Sequence, residues 1–205
     1  MHNRRRRTRA IPVARRRIMM KENPCNPCGK MEKGWSVDPD HTSISFAVKH
    51  LVISEVTGKF RDFTITFNAT KDDFSDAMVV AAIKVASITT ENEKRDAHLK
   101  SDDFFSAEKY PDITFKSTSF QKVGVNQYKI TGDLTIRNVT KRVTFEATLN
   151  GSMKTPNGTV YAWRAVTAVN RFDFGLKWNM AIEGGGLVAG DTVTTTLNIE
   201  LNKVA

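Results

Sequence analysis

A chain of 205 residues and 23.0 kDa, with 40% hydrophobic residues and twelve phenylalanines, has enough apolar material for one sizeable domain, which excludes wholesale disorder. Its net charge of +9 and pI near 9.7 suggest at first a nucleic-acid or membrane-surface binder. The distribution of charge removes that suggestion for most of the chain. Eleven of the 31 basic residues and two of the 22 acidic ones fall within residues 1–34, so residues 35–205 carry twenty of each and are neutral.

Residues 1–34 read as a solvated basic tail preceding a domain at 35–205. The longest apolar stretch there, Ala10–Ala14, contains Pro12 and is ended by Arg15, Arg16 and Arg17. A secretory signal needs roughly 7–15 apolar residues and a membrane-spanning helix about 18 or more; neither is present. The expectation is therefore a cytoplasmic protein, or a periplasmic one if the native chain starts elsewhere; Met1, Met19 and Met20 are the candidate starts. Attachment of the tail to an anionic membrane or to nucleic acid is the alternative role. Specific nucleic-acid recognition is not expected, because the tail has no aromatic residue to stack on bases. Cys25 and Cys28, the only cysteines, form a C-x-x-C pair that is open to three readings: a passive pair, a redox dithiol, or half of a shared metal site. No second pair or neighbouring histidine supplies the remaining zinc ligands.

From Trp35 onward the hydrophobic period is two. Ile44, Phe46 and Val48 make the first run. Val56, Gly58 and Phe60 occupy one parity and Phe63, Ile65 and Phe67 the other, which predicts a bulge or sharp bend at Arg61-Asp62 within one long strand. Runs follow at Val79–Val85, Ile113–Phe115, Tyr128–Ile136, Val143–Leu149, Tyr161–Val169 and Val193–Leu201, separated by turn signals such as Asn150-Gly151 and Pro156-Asn157-Gly158. Eight antiparallel strands predict an all-β barrel or sandwich, and a closed eight-stranded barrel has room for one elongated ligand. Gly58, Ala81, Ala147 and Ala165 sit among the large inward residues; they fit either a channel or a tapered solid core.

Residues 90–109 alone break the alternation. Thr90 and Glu93 suggest a capping box, and a second short turn is expected through Ser106–Lys109. Arg95, Asp96 and His98 are placed to pin this insertion by charge-assisted hydrogen bonds, with Phe104 and Phe105 packing inward. It reads equally as a barrel-end plug or as a lid over a ligand mouth. Catalytic constellations are not found: there is no phosphate-cradling or G-x-S-x-G motif, His41, His50 and His98 lack metal-ligand spacing, and no nucleophile, base and oxyanion donor occur together. A non-enzymatic protein without a resident metal or cofactor is expected.

The ordered motifs Trp35-Ser-Val-Asp38-Pro-Asp-His41-Thr-Ser43 with Phe46 and His50, Gly58-Lys-Phe60, Thr90-x-Asn92-x-x-Arg95-Asp96-x-His98-Leu99 with Asp103-Phe104-Phe105, Tyr110-Pro111-Asp-Ile113-Thr-Phe115, Gly132-Asp-Leu134 and Arg171-Phe-Asp173-Phe174-Gly175 resemble the YceI family of lipid- and polyisoprenoid-binding proteins. The resemblance covers about residues 35–203. It implies an extended, lipocalin-like antiparallel barrel holding an amphiphile with a long isoprenoid or acyl chain, such as a polyisoprenoid, a quinone precursor or a fatty-acid-type lipid. It also implies a homodimer and, in many members, export to the periplasm. On this reading Phe46, Phe60, Phe67, Ile83, Phe115, Leu134, Phe145 and Trp163 form the wall, and Phe104 and Phe105 the lid. Arg95, Asp96, His98 and Arg171 meet a polar head or brace the lid. A redox or quinone-handling role for Cys25/Cys28, and a barrel tethered by its tail, are the alternatives.

Overall fold

The computed structural model describes residues 34–51, 53–179 and 188–204; the basic tail and Cys25/Cys28 lie outside them. Among the described residues the chain forms β1 (Trp35–Val37), β2 (Ser43–His50), β3 (Ser54–Phe60), β4 (Phe63–Asn68), β5 (Met78–Lys84), β6 (Ile88–Thr89), α1 (Glu93–Lys100), β7 (Asp112–Gly124), β8 (Gln127–Ile136), β9 (Val139–Thr155), β10 (Gly158–Asn170) and β11 (Ala189–Val204). All pairings are antiparallel, in the order β4-β5-β7-β8-β9-β10-β11-β2-β3-β6, with β1 lying beyond β2 along the same edge of β11.

The expected eight strands are eleven. Trp35–Val37 and Ile88–Thr89 are too short to show a period, and the run through Arg61-Asp62 is two strands. There the chain bends as its change of parity requires: Arg61 N donates to Ser87 O at 3.3 Å and Lys84 N to Asp62 O at 2.9 Å. The first half stays with β2 and the second pairs with β5. The closed ring is corrected as well. The strands form a curled half-barrel with β4 and β6 at its ends, because one bent strand cannot pair along its whole length with both neighbours. Helix α1 and the loop to Tyr110 cover the open side, where Phe105 meets Phe60 edge-on at 6.3 Å.

Close approach of two strands demands a glycine at 132. A Cβ there would lie 2.5 Å from Lys116 O and from the Phe115 ring, beside the β7–β8 register shift at Ser117/Ser119. Backbone cannot yield cheaply to such overlap. Gly132→Ala should therefore cost about 2 kcal/mol or more and lower Tm by roughly 4–8 °C in thermal unfolding; an unchanged Tm would contradict the close approach.

One end of the half-barrel is filled by rings. Trp35 meets Phe67 at 4.9 Å and Tyr161 at 5.2 Å, while Phe74 meets Trp163 at 5.2 Å, and Trp163 in turn meets Tyr128 at 5.0 Å and Phe120 at 5.9 Å. Trp35 Nε1 donates to Ala69 O at 2.9 Å, which ties β1 to the end of β4. Phe74 reaches this cluster from the β4–β5 loop in a left-handed conformation, φ 59°. The loop is clamped by Asp76, which accepts from the Thr70 hydroxyl and from the Thr70 and Lys71 amides. The Thr70 hydroxyl above all holds the Asp76 carboxyl down to about 2.

Candidate functional site: an apolar cavity with a basic mouth

The opposite half of the barrel is hollow. Inward positions of the strands surround a cavity of about 630 Å³, within the usual size range of small-molecule sites. Phe46 and Val48 face it from β2, Phe60 from β3, Ile65 from β4, Ala81 and Ile83 from β5, Phe115 from β7, Leu134 from β8 and Phe145 from β9. From β10 and β11 come Ala165, Thr167, Val169, Val193, Thr195, Leu197 and Ile199. A side chain at Gly58 would overlap the Phe46 ring, so the glycine is what lets that ring lie against the wall. Ala81 and Ala165 open the lumen, whereas Ala147 is buried in the core.

Eight of the ten expected wall and lid residues line this space: Phe46, Phe60, Ile83, Phe104, Phe105, Phe115, Leu134 and Phe145. Phe67 and Trp163 do not. Both point inward, as their parity requires, but they lie toward the filled end and belong to the aromatic plug. Strand parity reports which face a residue is on and is silent about its height along the barrel axis. Of β10 and β11 only Trp163 is among the expected wall residues, and it lies in the plug; Val169, Val193, Leu197 and Ile199, whose alternation carries the signal, line the cavity. Trp178, also at the mouth, lies in irregular chain and has no periodic signature.

The insertion is built as a cover. Asn92, and not Thr90, caps α1, its Oδ1 accepting from Arg95 N at 3.0 Å. Thr90 is engaged elsewhere. Its amide donates to Asp96 Oδ1 at 2.8 Å and its hydroxyl to the same oxygen at 2.5 Å, while Arg95 Nε and Nη2 donate to Thr90 Oγ1 and O at 2.7 and 2.9 Å. Burial works against the charge on Asp96, but the Thr90 bonds outweigh it and hold the carboxyl below its ordinary value. His98 Nε2 pairs with Asp103 Oδ2 at 2.9 Å, and its ring stands edge-on to Phe104 and to Trp178 at 5.1 and 4.8 Å. Arg95 and Asp96 thus brace the cover, and Arg95 and His98 also face the cavity.

Arg171 is 4% exposed at the start of the turn that ends β10. Its Nε donates to Gly190 O at 2.7 Å, Nη1 to Leu176 O and Trp178 O at 2.5 and 2.8 Å, and Nη2 to Ala189 O at 3.1 Å. The guanidinium stacks over Phe172 at 4.4 Å. Desolvation pushes its pKa down, opposed by the charge of Asp191. The residue is a brace that also borders the cavity.

Lys49, His50, Lys94, Arg95, His98 and Arg171 are the basic residues bordering the space, and no carboxylate is among the described lining residues. Three of them gather at one end of the strands: Lys49 and His50 end β2, Arg171 follows β10, and the contacts of His50 and Arg171 converge on the chain that enters β11. Lys94, Arg95 and His98 come from α1, where His98 meets Trp178, whose carbonyl accepts from Arg171. The mouth therefore offers donors and positive charge to a ligand's polar end. Asp38, His41 and Glu200 bring possible metal-ligand atoms within 4.8 Å of one another, but at the filled end, where Asp38 already caps its own turn through Asp40 N and His41 N.

A family model for the YceI-like domain matches residues 35–201. The chain belongs to the YceI-like family. A UPF0312 protein of Staphylococcus aureus strain N315 is 37% identical over 170 residues, covering 82% of this chain and 96% of that protein, and its counterpart in strain MW2 matches equally. The Campylobacter jejuni YCEI protein superposes with a TM-score of 0.66 at 32% identity, covering 77% of this YceI-like chain and 90% of its own. BcnA of Burkholderia cenocepacia shares the fold at a TM-score of 0.68 and 21% identity, covering 80% and 99%. A polyisoprenoid-binding domain from Saccharophagus degradans shares it at 0.56 and 11%, covering 82% and 98%.

Proposed function

We propose that residues 35–205 bind an amphiphile with a long isoprenoid or acyl chain, as a non-enzymatic carrier or store, with residues 1–34 as a basic appendage. The observation that carries the reading is a cavity of about 630 Å³ lined almost wholly by apolar side chains, bordered by six basic residues and by no carboxylate among the described residues. Burial stabilises a chain by about 0.8 kcal/mol per methylene, so length governs affinity more than chemical detail, and the wall offers few polar groups for discriminating between chains. At the mouth, cations and donors without a carboxylate suit an acceptor-rich head: a carboxylate, a phosphate or a quinone-type carbonyl. A domain of this fold from Saccharophagus degradans is described as polyisoprenoid binding, and family membership adds weight in the same direction.

The test is direct. Protein purified from its native host, extracted and analysed by lipid mass spectrometry, should yield one chain-bearing amphiphile in near-stoichiometric amount. Recovery of no chain, together with failure of the purified protein to take up a fluorescent fatty acid from solution, would overturn the reading.

A further inference from the structure

The tip of the β2–β3 hairpin presents large apolar side chains to solvent beside the cavity mouth. Ile53 is 89% exposed and Leu51 37%. Leu51 holds φ 51°, a left-handed conformation that a branched side chain adopts only when its surroundings impose it. They do so here. Leu51 N donates to Val188 O at 3.1 Å, the His50 ring nitrogen Nδ1 contacts the same oxygen at 2.9 Å, and Ser54 Oγ donates to His50 O at 3.0 Å. The tip is therefore a braced perch, joined through Val188 to the chain leading into β11.

A single exposed isoleucine carries no message by itself; Val125, 88% exposed at the opposite end in the β7–β8 turn, is its counterpart. The surroundings differ. Lys49, His50 and Val188 beside the tip border the cavity, as do Lys94 on α1 and Trp178. Lys49 and Lys94 are exposed, and among the described residues neither has a carboxylate within ion-pair distance. Protruding aliphatics, a tryptophan and unpaired lysines around one opening are the chemistry of a surface that rests on an anionic bilayer. The aliphatics enter the headgroup–acyl boundary, the indole sits at the interface and the lysines meet lipid phosphates.

We infer that this rim is the docking surface of the barrel on an anionic membrane, with Ile53 and Leu51 inserted, so that a chain passes between bilayer and cavity without crossing water. The inference rests on the carrier reading for its purpose, but the two are separable by experiment.

In full-length protein with Cys25 and Cys28 replaced by serine, Ile53→Cys and Val125→Cys are labelled in turn with an environment-sensitive fluorophore. Phosphatidylcholine vesicles with and without phosphatidylglycerol are then added. The label at 53 should shift to the blue and brighten several-fold on the anionic vesicles, and the label at 125 should not; the basic tail is common to both and cancels. Ile53→Asp, at a position too exposed to bear on folding, should slow chain transfer from protein to anionic vesicles about tenfold and leave fatty-acid uptake from solution unchanged. Equal responses at 53 and 125, or an unaltered transfer rate, would overturn the docking surface. Insertion at 53 by a protein that takes up no chain would instead overturn the carrier reading and leave the docking surface standing.

Discussion

Ala165→Trp is expected to abolish most chain binding while the fold survives. Ala165 lies on β10 between Ala147 of β9 and Leu197 of β11 and borders the cavity, so an indole there occupies space that a chain would use. Exclusion of four methylenes at about 0.8 kcal/mol each removes about 3 kcal/mol, a hundredfold or more in Kd. The added volume goes into the lumen, and Tm should therefore remain within about 5 °C of the parent. Titration with a fluorescent fatty acid, alongside thermal unfolding, checks both halves. Undiminished affinity would mean that the chain does not lie in this space.

Arg171→Met is expected to be among the most destabilising single replacements in the domain. The apolar stem is retained, but the Leu176, Trp178, Ala189 and Gly190 carbonyls lose a charged donor together. Hydrogen bonds to charged groups contribute about 1.5–3 kcal/mol each and are not additive, so a loss of about 3–5 kcal/mol is expected, or roughly 10–15 °C in Tm. Arg171→Lys should recover only part of this, because an ammonium is a compact point charge and cannot span four carbonyls on both sides of a planar fork. Denaturant unfolding of the parent and both variants measures the order. A methionine variant as stable as the parent would mean that the carbonyls find other partners.

Much of this architecture was legible in the chain. Period-two alternation exposes its own side of the sheet, and the change of parity at Arg61-Asp62 located the bend that splits β3 from β4. Strand closure was not legible. It depends on which edges meet in space, and the two-residue β6 that ends the sheet leaves no mark at that length. The distinction between cavity and solid core also lay beyond alternation. Phe67 and Phe115 are both inward, buried aromatics, yet one belongs to the plug and the other to the cavity wall, because height along the barrel is set by register and not by residue type. Arg95 and Asp96 could be placed on the cover from their charge, but the capping role passed to Asn92 once Thr90 was taken up by both of them.

The cluster of aromatics opposite the mouth fills that end of the half-barrel. Trp35, Phe67, Phe74, Phe120, Tyr128, Tyr161 and Trp163 pack against one another behind the cavity's lining and not as part of it, so they stand as a floor beyond which a chain cannot extend. For a chain held inside, this imposes an order of travel: the methyl terminus enters first and leaves last, with the head never far from the opening. Departure must then draw the whole tail back past the mouth, so each further methylene that fits slows it about fourfold. The floor is therefore a ruler, and it sets the length beyond which an added carbon no longer lengthens the stay.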